Sequence, residues 1–107
     1  VCAARSSEGI LQDIHWSAGD FGYFPTYALG SAYAAQFFHA MEKEIPVVEA
    51  LRKGDFHVIS NWLREKIHRY GAAKTADGIL VLATGENFNP DYYIDYLVEK
   101  YTKLYHL

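Results

Sequence analysis

The sequence predicts an all-α chain in which an irregular, motif-bearing N-terminal segment is followed by about four or five helices. Three observations carry that prediction. Apolar residues recur at helical spacing over two long stretches, cap-forming residues stand before the later elements, and glycines stand where several of them would stop.

Residues 6 to 22 contain three glycines and mix polar with aromatic side chains without a sustained period. Gln12, Asp13 and His15 are therefore expected on a short turn or irregular segment. Pro25 suits a first helical turn, where its missing N–H has no partner to lose. From Thr26 to about Lys43 the pattern is helical, with Tyr27, Ala32, Gln36 and His39 among the residues available to neighbours. The small residues Gly30, Ser31, Ala32, Ala34 and Ala35 suit close contact with another helix.

Pro46 then punctuates the chain. Val47 to Lys53 reads as a short helix stopped by Gly54, and Asp55 as the cap of the next. In that next helix Ile59, Leu63, Ile67 and Tyr70 share a face with Trp62 beside them, and Gly71 is the expected C-terminal stop. Thr75 offers a cap for a shorter helix ending near Ala83 and closed by Gly85, although Ile79 to Leu82 also has the composition of a strand. Asn89 caps the last helix, Pro90 sets its first turn and Asp91 places negative charge at the positive end of its dipole. Its stripe of Tyr93, Leu97, Lys100, Tyr101, Leu104 and Tyr105 reads chiefly as packing.

Composition narrows function. A chain of 107 residues, 50% hydrophobic, suits one folded domain rather than a disordered segment. Ten basic against thirteen acidic residues give a formal charge of −3, so there is no cationic excess to displace phosphate counterions, and nucleic acid is not an expected partner. Apolar runs such as Ile79 to Ala83 fall far short of the roughly twenty residues that span a bilayer, and the first residues do not read as a secretory signal. With Cys2 as its single cysteine, the chain is expected to be soluble, unexported and cytoplasmic.

Chemistry concentrates in the head. The run from Gly9 to Trp16 brings together Gln12, Asp13 and His15, and Tyr23 and Tyr27 follow closely. An imidazole donates a hydrogen bond near neutral pH, and a carboxylate beside it fixes its tautomer or stabilises its cation. A phenol helps most where oxygen gathers negative charge. Two readings stand at this level: a catalytic cluster, or a buried polar network that holds a loop against helices with Trp16, Phe21 and Phe24 as packing. His39 and Glu42 share a helix face but are too common a pair to define a metal site, and His-Glu-x-x-His does not occur. Neither a phosphate-cradling glycine loop nor a serine-nucleophile elbow is present.

The whole chain resembles the C-terminal part of the M32 family of thermostable-type metallocarboxypeptidases. Gly9, Gln12, Asp13, His15 and Trp16 match its Gly-x-x-Gln-Asp-x-His-Trp motif without a gap, and the likeness continues through Ser17, Gly19 and Phe21 to Gly30, then Tyr33 to Gln36. It resumes at Trp62 to Glu65, Ile67 to Gly71, Ala83 to Glu86, Asn89-Pro90 and Tyr96-Leu97. Ala18 and Asp20 depart from the usual Gly and Ser and put the loop shape in question.

The resemblance implies a largely helical, dimeric zinc-type enzyme, much longer than this chain, that removes single residues from peptide C-termini. Residues 1–107 would be one C-terminal segment of that peptidase domain, and the upstream catalytic portion would be its partner. No metal or cofactor is implied within the chain; zinc or another divalent metal belongs with the upstream His-Glu-x-x-His. By the same resemblance His15 and Tyr23 stabilise the oxyanion, Tyr27 is the alternative phenol, and Gln12 and Asp13 position His15, the loop or substrate. The competing expectation is a noncatalytic helical binding or structural module that retains a peptidase-derived surface.

Overall fold

Helices of 5 to 20 residues, several of them closed by a glycine, make up most of the described residues. The computed structural model describes residues 5–9 and 12–106; the readings of Cys2 and of the first residues fall outside them. Among the described residues a 3-10 turn, Ser6–Glu8, precedes six α-helices: α1 Ile14–Ala18, α2 Pro25–Glu44, α3 Val47–Lys53, α4 Phe56–Lys66, α5 Ala76–Thr84 and α6 Asp91–Tyr105. No strand occurs among the described residues, and no described helix is long and apolar enough to cross a membrane. The chain divides into two compact units, Val1–Gly30 and Ser31–Leu107.

In the first unit, where a short turn or irregular segment is expected, His15 lies in the single-turn helix α1, with Asp13 as the N-cap. One helical turn is too short for a hydrophobic period to reveal, and its ends define it instead. Asp13 accepts the backbone N–H of His15 at 2.8 Å. At the other end Gly19 takes φ 81 and donates to the Trp16 carbonyl at 3.2 Å, while Asp20 donates to that of His15 at 2.8 Å. This reciprocal closure needs a left-handed residue, which glycine supplies without a Cβ clash.

In the second unit, caps and stops lie close to where the sequence puts them. Gly54 closes α3 at φ 71, Asp55 accepts from His57 N–H at 3.2 Å, and Thr75 accepts from Gly78 N–H at 3.1 Å. The Asn89 carboxamide oxygen accepts from Asp91 N–H at 3.0 Å, and Pro90 already has helical angles, so α6 starts with Asn89 as its cap in chemical terms. Ile79 to Leu82 is helical: Leu80 and Ala83 are buried while Val81 and Leu82 are exposed, a spacing of three rather than two.

Two expectations change here. The helix containing Ile59 and Leu63 does not run to Tyr70; it leaves α geometry at Ile67 and continues as a 3-10 turn, His68–Tyr70. A spacing of three residues fits either geometry, so the apolar pattern alone does not separate them. The α6 stripe is also not core within this chain. The helix buries none of its residues, and Tyr101, Leu104 and Tyr105 are all exposed.

The core gathers Ala40, Met41, Val47, Trp62 and Ala83, with Phe37, Ile45, Ile59, Leu63 and Ile67 packed against it. Two polar anchors border it. Gln36, 1% exposed, donates to the Asn87 carbonyl at 3.0 Å and accepts from Asn89 N–H at 3.0 Å. Glu44 accepts from the Trp62 indole at 2.9 Å and from Lys66 at 2.8 Å.

The Lys66 hydrogen bond, reinforced by that of Trp62, holds the Glu44 carboxyl below its ordinary value of 4.5 against an opposing contribution from burial. A group whose folded pKa is depressed stabilises the fold fully above the unfolded value and loses that contribution as pH falls through the folded one. Glu44→Gln is therefore expected to flatten the decline of the urea midpoint on the acid side of 4.5. An unchanged slope would remove Glu44 from the acid response.

Candidate functional site

The site is built within the first unit by two turns. Gln12 donates its backbone N–H to the Gly9 carbonyl at 3.0 Å, and its side-chain amide reaches back to the Ser7 carbonyl. Gln12 thus ties the loop to itself. Asp13 does reach His15. One carboxylate oxygen takes the His15 backbone N–H and also stands 2.8 Å from ring Nδ1. The backbone bond, followed by the ring bond, holds the Asp13 carboxyl below its ordinary value.

Gly19 and Gly22 then turn the chain back. Gly22 takes φ 78, Tyr23 N–H donates to the Asp20 carbonyl at 3.2 Å, and the Thr26 hydroxyl donates to the Tyr23 carbonyl at 2.6 Å. A residue with a Cβ in this left-handed region costs on the order of 1–2 kcal/mol, so glycine is the natural occupant.

The reversal sets three aromatic rings around the imidazole. Tyr23 stacks on His15 at 5.5 Å and 26°, Phe24 lies tilted at 5.9 Å, and Tyr27 meets the ring edge-on at 6.0 Å. Tyr23 and Tyr27, four residues apart across the start of α2, are themselves edge to face at 5.7 Å. The charge that Tyr23 would carry pushes the Tyr27 phenol up, with smaller contributions from burial, a hydrogen bond to Tyr23 and the charge of Asp13.

Four of the five sequence-predicted residues therefore converge: Asp13, His15, Tyr23 and Tyr27. Gln12 stands beside them in the chain but acts on the loop. Phe24, read from sequence as packing, belongs to the ring cluster; its position next to Tyr23 at the start of α2 was the available signal. Trp16 pairs instead with Phe21, edge to face at 5.1 Å. The cluster can do two things: present an imidazole of fixed orientation and offer phenolic hydroxyls to developing negative charge.

A metal does not fit these residues. Among the described residues no group of three or more His, Cys, Asp or Glu side chains could hold one. His39 packs against Tyr92 at 4.6 Å, and Glu42 is exposed.

Comparison with known proteins extends the picture. Residues 1–101 match the family model of the carboxypeptidase Taq (M32) metallopeptidases. The chain is similar to Carboxypeptidase 1 of Bacillus subtilis, 53% identical over 98% of this chain and 21% of that protein. It is similar to Thermostable carboxypeptidase 1 of Pyrococcus furiosus, 46% identical over 91% of this chain and 20% of that protein. The solved structure of Trypanosoma cruzi metallocarboxypeptidase 1 superposes with a TM-score of 0.82 at 46% identity, over 88% of this chain and 19% of that one. The chain thus spans about a fifth of the length of these relatives. With a family match over nearly its whole length and a helical architecture shared with a solved relative, this chain belongs to the M32 metallocarboxypeptidase family.

Proposed function

We propose that residues 1–107 form one C-terminal segment of an M32 metallocarboxypeptidase that releases single residues from the free C-termini of peptides. Its contribution is a wall of the active site carrying groups that stabilise the transition state. The observation that carries this reading is the His15 ring, fixed by Asp13 at 2.8 Å and stacked with Tyr23 at 5.5 Å, inside the matched family motif.

His15 and Tyr23 donate to the oxygen of the scissile carbonyl as it becomes an oxyanion, with Tyr27 as the alternative phenol. Asp13 positions the imidazole. Gln12 positions the loop that carries Asp13. The divalent metal that the family implies, with zinc as the first candidate, is held by the upstream portion of the same protein and supplies carbonyl polarisation and water activation when bound. Exposed apolar side chains such as Phe21, Leu29, Phe38 and Leu104 support coverage by that upstream portion and by a second protomer of a homodimer. A cytoplasmic location accompanies this reading.

The test compares the full-length protein with the 107-residue chain on a peptide bearing a free C-terminal carboxylate. Stepwise release of single C-terminal residues by the former and no turnover by the latter is the expected pair of results. Turnover by the short chain alone, or cleavage of internal bonds by the full protein, would overturn the proposal.

A further inference from the structure

A neutral imidazole has one N–H and one lone pair, and its partners decide which nitrogen carries which. At His15 the partner of Nδ1 is the Asp13 oxygen, 2.8 Å away. That oxygen already accepts the His15 backbone N–H at 2.8 Å. A carboxylate accepting a main-chain hydrogen bond is stabilised as the anion and has no proton to give. The proton between Nδ1 and Oδ1 therefore belongs to the ring. Nε2 makes no hydrogen bond among the described residues, so in the neutral ring it is a bare lone pair, which repels an oxyanion. A donor exists at Nε2 only when the ring is the imidazolium.

We infer that His15 acts as an Asp13-paired imidazolium whose Nε2–H donates to the oxyanion, and that the neutral ring is the inactive form. This rests on the reading above that His15 contacts that oxyanion. The surroundings suit a cation. Asp13, in the turn before α1, supplies a negative charge at Nδ1. Tyr23 from the glycine turn stacks on the ring, and Phe24 and Tyr27 stand at 5.9 and 6.0 Å, where aromatic π density favours a cation. Of these neighbours Asp13, Tyr23 and Tyr27 are titratable and Phe24 is not.

The two donors then differ in their response to pH. Tyr23 donates on both sides of the imidazole titration, whereas His15 donates only on the acid side. Asp13→Asn separates charge from tautomer, because the carboxamide oxygen can still accept both the backbone N–H and Nδ1–H while the anion is gone.

The experiment measures kcat/KM against pH for the metal-loaded full-length wild type, His15→Ala and Asp13→Asn, with neutron diffraction of the wild type at an acid and an alkaline pH. His15→Ala is expected to lower kcat/KM by about 10²–10³-fold at low pH and progressively less at high pH, as the two profiles converge. Asp13→Asn should move the alkaline limb to lower pH. Neutron maps should show hydrogen on Nδ1 at both pH values and on Nε2 only at the acid one. An equal loss in His15→Ala at every pH, or a neutral ring protonated on Nε2, would overturn the imidazolium assignment while leaving the oxyanion reading in place. No loss at any pH would remove the oxyanion reading itself.

Discussion

His15→Ala in the full-length enzyme is expected to lower kcat/KM for C-terminal release by about 10²–10³-fold on the acid side of its pH profile, the usual loss when one preorganised oxyanion donor is removed. The effect should fall on kcat more than on KM, because the donor meets full negative charge only in the transition state. Tyr23→Phe is the sharper companion. It deletes one hydroxyl yet keeps the ring that stacks on His15 at 5.5 Å, so a comparable loss points to hydrogen bonding and not to packing. If Tyr23→Phe is silent and Tyr27→Phe is not, the phenol assignment passes to Tyr27. Metal content should match the wild type in each variant, and kcat/KM unchanged in both His15→Ala and Tyr23→Phe would exclude the cluster from the chemistry.

The largest expected effect on stability is at Trp62. This residue is 6% exposed, lies in one cluster with Met41, Val47 and Ala83, and donates its indole N–H to Glu44 at 2.9 Å. Trp62→Ala removes the largest side chain of that cluster and leaves a cavity, a change that costs about 3–5 kcal/mol. Trp62→Phe keeps most of the apolar contact and deletes the indole donor; Glu44 retains Lys66 at 2.8 Å, so about 1–2 kcal/mol is expected. Urea unfolding followed by far-ultraviolet circular dichroism reads both. A loss below about 1 kcal/mol for Trp62→Ala would show that this core does not limit stability.

Much of this organisation is written in local chemistry. Asp55, Thr75 and Asn89 cap where their side chains predict, and Gly54 and Gly85 stop helices by taking the left-handed conformation. What local chemistry hides depends on geometry further away. The break at Ile67 has the same apolar spacing as an unbroken helix. The exposure of Tyr101 and Tyr105 is set by which neighbours α6 has, not by its own stripe. At the site, the residue types were legible, and so was the kinship of the motif. Asp13 and Gln12 were expected to position His15, the loop or substrate; which of these partners each one takes, and the place of Phe24, were not legible, because they follow from the folding of two turns around α1.

Gln36 turns a side chain into a measuring device. Surface connections usually accept extra residues at little cost, since closing a slightly longer loop loses little entropy. The connection from Gly85 to Pro90 has no such freedom. One carboxamide grips the carbonyl of Asn87 with its nitrogen and the N–H of Asn89 with its oxygen, spanning Phe88 like the jaws of a gauge. A different residue at 88 leaves both grips intact, whereas an inserted or deleted residue forces one of them open. A change of length in this link is thus expected to cost more than a change of residue, and the departure point of the last helix is dictated from the middle of α2.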